Sequence, residues 1–418
     1  MSGRLGRLVV LSGVALGALV AASPAFAGSF GLREQSTVGQ GMSFAGMAAG
    51  GGDSISGMFW NPAVVNQVEH FQGEQHVTGI FPSSKIDVDA GLPFGDGGDI
   101  GKNAALTAGY SAYRLTEDIA VGLSINTPFG LATDPNYTWA GQFQARSSRV
   151  RSINASPTIG YRVNDMFSVA VGMQIQWFDI RLRQALPLAG FPTATLRGDD
   201  IGVGFTAGMT FKPVEGTEIG VGFRSSIKHN IDGKLQTPAP DVDIKAKVKL
   251  PEVVTAGIRQ RVTEDLTVLG GVEWTNWSRL GVVDIKNNAG APAAPSIAFN
   301  YKDGWFASAG VEYAYSPDLK LRTGVGYEWS PINNSNRTAR VPDDDRWWLS
   351  AGASYNYSEK LGFDLGYSYV FVDGKSKLDT TATAGGFIGT AKSDVHIIAA
   401  AVRYKFGGDA PAALVTKY

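Results

Sequence analysis

Long runs of alternating apolar and polar residues dominate the chain after residue 66. In Phe167–Trp177 every second residue is large and apolar, and the residues between them are Ser, Ala, Gly or Gln. The same period recurs in Ile119–Phe129, Leu319–Trp329 and Leu361–Phe371. A period of two places alternate side chains on opposite faces of a strand. Runs of about ten residues suit the tilted strands of a membrane barrel, whereas strands of soluble sandwiches usually have about five or six.

The connections between these runs alternate in length. Six are short and polar, and the intervening ones are longer and rich in Pro, Asn, Gly and Asp. The short ones are Leu115–Asp118, Val163–Met166, Val214–Glu218, Val262–Asp265, Ser316–Leu319 and Ser358–Leu361. Short turns at one end and long loops at the other are typical of outer-membrane barrels. Six turns join twelve strands, and the first and last strands complete a predicted all-β, 14-stranded antiparallel transmembrane barrel. A soluble all-β sandwich is the alternative.

The stretch Gly28–Asn66 has a different character. It is rich in Gly, Ser and Ala, has almost no charge, and ends in the turn Asn61-Pro62-Ala63. It shows neither a helical nor a strand period, so it buries little apolar surface alone and needs a surrounding wall. We therefore expect residues 28–66 to form a plug within a barrel of residues 67–406, with residues 407–418 as a C-terminal tail.

The first 27 residues have the pattern of a secretory signal peptide. Arg4 and Arg7 form a positive region, Leu8–Ala22 is apolar, and Ala25–Ala27 is a cleavage site of the small-x-small type. An N-terminal membrane helix is the alternative, but the apolar run falls short of the roughly 20 residues needed to span a bilayer. We predict cleavage after Ala27.

Composition excludes several functions. The formal net charge is −1, which gives no electrostatic basis for binding nucleic acid. Cysteine is absent, the four histidines lack metal-ligand spacing, and no serine lies in a G-x-S-x-G elbow. We expect no enzyme activity, no cofactor and no metal site.

Several charged residues fall on the predicted inward faces of the strands. They are Arg224, Glu273, Lys320, Arg322, Glu328 and Asp364. Buried charges are costly unless they are paired or hydrated. One interpretation is a salt-bridged network, including Glu328, that holds the plug. The other is that Lys320 or Arg322 binds the carboxylate of a ligand.

A set of short motifs, in order along the chain, resembles the FadL/TodX family of long-chain fatty acid and hydrocarbon transporters. They are Gly28–Glu34, Asn61-Pro62-Ala63, Thr127–Thr133, Ile153–Pro157, Leu250-Pro251, Asn276–Ser278, Ser330-Pro331 and Pro342–Trp347. The resemblance covers essentially the whole mature chain. It implies a 14-stranded barrel closed by an N-terminal hatch.

The resemblance also implies a mechanism. Apolar ligand enters a pocket near the mature N-terminus, the N-terminus shifts, and the ligand leaves sideways into the membrane past a kink in the third strand. The kink maps to Ser124–Gly130, and the Asn-Pro-Ala turn is expected to pack beside it. The residues that the resemblance implies in ligand binding or gating are Phe30, Asn61, Pro62, Ala63, Ser124, Asn126, Pro128, Phe129 and Gly130.

The leading hypothesis is therefore transport of hydrophobic compounds, chiefly long-chain fatty acids, across the outer membrane of a Gram-negative cell. Uptake of monoaromatic hydrocarbons by the same fold is the second hypothesis, and a non-specific porin is the third. The expected partners are an apolar small molecule and the lipid and lipopolysaccharide of the membrane. The protein is expected to act as a monomer.

Overall fold

The chain forms a closed antiparallel β-barrel of 14 strands, β1 to β14. The computed structural model describes residues 29–50, 52–89, 93–372, 374–382 and 385–406. Each strand pairs with its neighbour in sequence, and β1 closes the barrel against β14 from Phe71 opposite Phe406 to Val88 opposite Gly389. The predicted fold class and strand number are confirmed. The predicted signal peptide and C-terminal tail lie outside the described residues.

The strand bounds follow the predicted runs closely. The strands are β1 Phe71–Val88, β2 Ala104–Arg114, β3 Ile119–Asn126 continued by Gly130–Thr133, β4 Ser147–Arg162, β5 Phe167–Ala185, β6 Thr193–Phe211, β7 Thr217–Arg224 continued by Ile227–Gln236, β8 Val242–Leu250 continued by Val253–Arg261, β9 Leu266–Thr275, β10 Gly304–Ala314, β11 Leu319–Trp329, β12 Arg346–Asn356, β13 Leu361–Val372 and β14 Ile388–Phe406. The long loops add the short strands Gly98–Asp99, Val282–Asn287, Pro292–Ala298 and Ser376–Asp379.

Most of the short turns contain the same hydrogen bond between a side chain and the backbone. The side-chain oxygen of Thr116 accepts a hydrogen bond from the backbone N–H three residues later, at 3.0 Å. Thr263, Ser316, Ser358 and Asn164 do the same in their own turns. Ser, Thr and Asn favour turns because their side chains replace a missing backbone partner. These residues therefore end one strand and start the next in register.

The alternation of the strands separates an apolar outer face from a polar or small inner face. Ile159, Val171 and Val203 are more than half exposed to the exterior, as lipid-facing residues are. The aromatic side chains near strand ends divide between the two faces. Trp305, Trp329 and Trp347 are exposed, whereas Trp348 is fully buried inside the barrel.

Most of the described residues between Ser29 and Val68 are buried against the inner face of the barrel. It contains one short helix, α1 (Thr37–Gln40), and the 3₁₀ turns Met47–Ala49, Ser56–Phe59 and Pro62–Gln67. A fifth helical turn, Trp277–Leu280, lies in an outer loop. Within the described residues, no helix is long and apolar enough to cross a membrane.

Glycines on the inner face let this segment approach the wall. A Cβ atom on Gly220 would lie 1.9 Å from the carbonyl oxygen of Ala48, and one on Gly222 would lie 1.9 Å from that of Trp60. Such distances are not possible for a real side chain. Inward glycine thus explains how a segment without a core of its own is ordered by contact with the strands.

Candidate functional site: the cavity and the strand kink

A cavity lies between the N-terminal segment and the barrel wall. The empty space between its lining residues is about 830 Å³, a figure that includes open solvent. Its lining includes the apolar residues Leu32, Phe129, Ile227 and Trp277 and several polar ones, Arg224 among them. Apolar walls with polar groups at particular points are the usual form of a small-molecule site. The cavity adjoins both the N-terminal segment and the third strand.

The kink that the resemblance implied is present in β3. The strand is interrupted between Asn126 and Gly130. Asn126 lies opposite Asn154 and Gly130 opposite Arg151, so three residues of β3 face two residues of β4. One extra residue therefore forms a bulge, which bends the strand and disrupts its ladder.

Side chains satisfy the backbone at the kink. The amide of Gln35 donates to the carbonyl of Thr127 at 2.8 Å and accepts from its N–H at 3.1 Å. Ser152 Oγ accepts from the N–H of Phe129 and donates to its carbonyl, at 2.9 and 2.8 Å. Pro128 lacks an N–H and therefore suits the interruption. Gln35 and Ser152 hold the bulge independently of Pro128, and the sequence did not single out either of them.

The ladder between β2 and β3 stops at the kink. It runs from Arg114 opposite Ala120 to Gly109 opposite Ile125. The remainder of β2, from Ala104 to Ala108, pairs with β1 alone among the described strands. The barrel wall therefore has a gap in its hydrogen bonding between β2 and the upper part of β3.

The N-terminal segment covers this gap from inside. Gly31 forms a single antiparallel bridge with Phe129. The N–H of Leu32 donates to the carbonyl of Pro128 at 2.8 Å, and the N–H of Gly130 donates to that of Phe30 at 2.9 Å. Movement of these N-terminal residues would expose the unpaired edge of β3.

Phe30 lies at the centre of an aromatic cluster beside the cavity. Its ring centroid is 4.8 Å from that of Trp277, 6.0 Å from that of Phe129 and 6.5 Å from that of Phe299. It is 5% exposed. Phe30 thus contacts two residues of the cavity lining, Phe129 and Trp277, from the segment that covers the gap.

The end of the N-terminal segment is bound by an outer loop. The N–H of Ser29 donates to Asp343 Oδ2 at 3.0 Å, and Ser330 Oγ donates to the same oxygen at 2.6 Å. Arg346 pairs with the other oxygen of this buried carboxylate. The acidic run Asp343–Asp345 is thus a partly buried docking element for Ser29.

The Asn61-Pro62-Ala63 turn packs against β6. Asn61 donates to the carbonyls of Ala48 and Met209, at 2.7 and 2.8 Å, and its side chain caps Ala63. Pro62 lies against Gly208 on β6. Within the N-terminal segment, the hydrogen bonds at the β3 kink are made by Phe30, Leu32 and Gln35.

Ser124 and Asn126 face the barrel interior just below the kink. Both are almost fully buried. Asn126 donates to the hydroxyl of Tyr110 at 2.8 Å, and that hydroxyl donates to the carbonyl of Gln35 at 2.8 Å. This chain of hydrogen bonds links β2, β3 and the N-terminal segment at the lower edge of the gap.

Three inward charges predicted as candidates belong to ion pairs. Lys320 Nζ lies 2.9 Å from Asp53 of the N-terminal segment, and Arg322 Nε lies 2.7 Å from Glu312. Glu328 binds Arg33 at 3.0 Å. Neither Lys320 nor Arg322 lines the cavity. Their geometry is that of a network between the segment and the wall, and it gives no support to carboxylate binding by Lys320 or Arg322.

Arg224 differs from the other predicted inward cations because it forms no salt bridge with a described residue. It is 6% exposed, donates to the carbonyl of Phe59 at 3.2 Å and to Gln174 Oε1 at 2.6 Å, and lies over the Phe59 ring. It has no salt bridge with any carboxylate of the described residues. By contrast, Arg33 in the same cavity binds both Glu273 and Glu328. The cavity therefore contains one buried positive charge without a salt-bridge partner among the described residues, although the Glu273 carboxylate acts on it at longer range.

Glu34 gives the N-terminal segment a sensitivity to pH. Its carboxylate is buried, and neither oxygen has a partner on another described residue. Burial raises its pKa from 4.5 to about 7, although Arg33 opposes the shift. The folded form thus favours the protonated acid, and the docked segment loses stability as pH rises from about 4.5 through 7. The loss is roughly 3 kcal/mol at pH 8.

The substitution Glu34→Gln is expected to remove this pH dependence. Hydrogen exchange of residues 29–36 should accelerate between pH 5 and pH 8 in the wild type, after correction for intrinsic rates. The variant should show slow exchange at both values. Equal pH dependence in the two proteins would show that Glu34 is not the responsible group.

Comparison with known proteins identifies the family. The sequence matches the family described as "Outer membrane protein transport protein (OMPP1/FadL/TodX)" over residues 18–406. The chain belongs to this family. It is 24% identical to the long-chain fatty acid transport protein of Salmonella typhi, over 87% of this chain and 92% of that protein. It is 26% identical to the 47 kDa outer membrane protein of Pasteurella multocida, over 93% and 96%.

Solved structures share the fold. A FadL homologue of Pseudomonas aeruginosa superposes with a TM-score of 0.83 at 22% identity, covering 91% of this chain and all of that one. The toluene transporter TodX of P. putida gives 0.68 at 16% identity, covering 92% and 99%. The resemblance found in the sequence is confirmed. The protein is an outer-membrane barrel of a family that transports hydrophobic compounds, and it is not an enzyme.

Proposed function

We propose that this protein carries long-chain fatty acids across the outer membrane. The ligand binds in the cavity, displaces Phe30, and leaves through the gap between β2 and β3 once the N-terminal segment has moved. The free energy of an apolar molecule falls when it leaves water, so a route through an aqueous pore does not favour its transport. A lateral route delivers it directly into the lipid.

The observation that carries the choice of ligand is Arg224. A buried guanidinium without a carboxylate partner is costly. A fatty acid would supply the missing anion to Arg224 while its chain contacts Phe129, Ile227 and Trp277. A monoaromatic hydrocarbon has no charge and would leave Arg224 unpaired. Relatives bear names of both kinds, fatty acid transporter and toluene transporter, and Arg224 supports the choice of a fatty acid.

The proposed gating rests on residues that contact both the cavity and the gap between β2 and β3. The Phe30 ring lies beside the cavity, whereas its carbonyl and the N–H of Leu32 form the hydrogen bonds that cover the gap. Displacement of the Phe30 ring by a ligand would therefore strain the bonds to Pro128 and Gly130. The N-terminal residues act in this account as a ligand-operated gate.

Uptake measurements test the proposal. The protein is expressed in a host that lacks its own fatty acid transporter, and uptake of oleate, methyl oleate and toluene is compared. We expect uptake of oleate well above that of the empty vector. Uptake of toluene without oleate would favour the aromatic alternative. Absence of uptake of all three, with the barrel correctly inserted, would refute transport of these compounds.

A further inference from the structure

A row of basic side chains crosses four strands on the outside of the barrel. Strand register places Arg149 of β4 opposite Arg181 of β5, Arg181 opposite Arg197 of β6, and Arg197 opposite Lys234 of β7. We call these four residues the basic row. Like charges directly opposite each other on neighbouring strands are destabilising. A row of four therefore needs a source of negative charge.

The basic row faces outwards. Arg149 alternates in phase with Ile153 and Ile159 on β4, which are exposed. Arg181 is in phase with Val171 and Ile175 on β5 in the same way. The row therefore continues the lipid-facing surface of these strands.

Its height matches the headgroups of the outer leaflet. The outward apolar positions of β5 run from Phe167 at the short-turn end to Trp177, which for a tilted strand spans about 25 Å, the height of the apolar band of a membrane barrel. Arg181 lies four residues further, roughly 10 Å beyond that band at the long-loop end. Polar headgroups occupy this zone.

The acidic residues of this surface do not neutralise it. Around the row, seven basic residues stand against four acidic ones, which are Arg149, Arg151, Arg181, Arg183, Arg197, Lys234, Lys245, Asp179, Asp199, Asp232 and Asp243. Lys234 lies 3.8 Å from Asp243, and Lys245 lies 3.8 Å from Asp232. Asp179 binds Arg149 and Arg151, at 3.5 and 3.0 Å. Asp199 accepts a hydrogen bond from the Trp177 indole.

Several guanidinium groups lack partners within the described ranges. Arg181 and Arg197 make no side-chain hydrogen bond or salt bridge to any described residue, and the Nε atoms of Arg149 and Arg181 are buried without a partner. The basic surface continues onto β8, where Lys245, Lys247 and Lys249 are exposed. On β10–β12 the exterior at the long-loop end carries Trp305, Trp329 and Trp347 instead.

We infer that the basic row binds the phosphate groups of lipopolysaccharide in the outer leaflet. Arginine guanidinium groups bind phosphate through two parallel hydrogen bonds, and spaced arginines suit a glycolipid that carries more than one phosphate. The acyl chains of the same molecule would lie on the apolar face below, along Ile153, Ile175 and Val203. The charge row and the apolar face together form one amphipathic site.

Binding of a phosphorylated lipid to the purified barrel tests this inference. The probes are bisphosphorylated lipid A, the same lipid without phosphates, and inorganic phosphate, each titrated against the protein in detergent micelles and followed by native mass spectrometry. We expect preferential binding of bisphosphorylated lipid A. The triple variant Arg149→Gln/Arg181→Gln/Arg197→Gln should bind it about 10- to 100-fold more weakly.

A matched variant controls for the loss of positive charge. Lys212→Gln/Arg261→Gln/Lys360→Gln removes three cations at the short-turn end and should bind like the wild type. If the triple arginine variant fails to insert, Arg181→Gln alone should still weaken binding several-fold. Equal binding of the two lipids, unchanged binding by the arginine variants, or displacement of the lipid by equimolar inorganic phosphate would overturn the inference.

Discussion

Deletion of Pro128 is expected to abolish uptake of oleate while the barrel remains folded. Three residues of β3 now face two residues of β4 between the pairs Asn126–Asn154 and Gly130–Arg151. Removal of one residue makes the two strands equal in length, so the β3–β4 ladder can continue without a bulge. A straight β3 can then extend its pairing to β2 and close the gap.

The substitution Pro128→Val is the control for this deletion. It retains the extra residue, and the bonds from Gln35 and Ser152 still hold the bulge. We expect this variant to take up oleate at near the wild-type rate. Heat-modifiable migration on gels, a property of folded barrels, would check that both variants insert. Normal uptake by the folded deletion variant would contradict a lateral route through β3.

Replacement of Arg224 by Gln is expected to weaken oleate binding roughly 10- to 100-fold, since a charge-assisted hydrogen bond contributes about 1.5–3 kcal/mol. Binding of methyl oleate, which has no charge, should change little. Isothermal titration or displacement of a fluorescent fatty acid would measure both ligands. The ratio of the two affinities separates loss of the charge from a general disturbance of the cavity.

Arg322→Gln provides the matched control for Arg224. Arg322 is also a buried arginine of the barrel interior, but it pairs with Glu312 and lies outside the cavity. We expect the ratio of oleate to methyl oleate affinity to stay at the wild-type value in this variant. A similar fall of the ratio in both variants would show that overall charge, rather than contact with Arg224, controls selectivity.

The barrel was predictable because its signals are local. Alternation in a run such as Phe167–Trp177 reports which side chains face lipid, and a turn such as Leu115–Asp118 reports where a strand ends. The kink was placed within Ser124–Gly130 by resemblance. That one residue in this range forms a bulge depends on the register of β4, which only the structure provides.

The contacts of the candidate site were less predictable because they join distant parts of the chain. Gln35 meets Thr127 across 92 positions, and Ser29 meets Asp343 across 314. Arg224, Lys320 and Arg322 share an inward phase, but only the structure shows which cation lacks a carboxylate. The contacts of the Asn61-Pro62-Ala63 turn with β6 were not predictable for the same reason: these partners carry no signal in sequence.

A reversible disulfide bond across the gap tests the central claim, that ligand leaves between β2 and β3. If the β2–β3 ladder continued beyond Gly109–Ile125, Thr107 would lie opposite Thr127. Because the chain has no cysteine, the pair Thr107→Cys/Thr127→Cys can be oxidised without competing thiols. The pair Ser111→Cys/Leu123→Cys joins the same strands where the ladder is already closed, and serves as control.

Oleate uptake is measured for both pairs before oxidation, after oxidation and after reduction. The account predicts that oxidation of the Thr107/Thr127 pair stops uptake, that reduction restores it, and that the control pair transports in all three states. Undiminished uptake by the fully oxidised Thr107/Thr127 pair would contradict the lateral route.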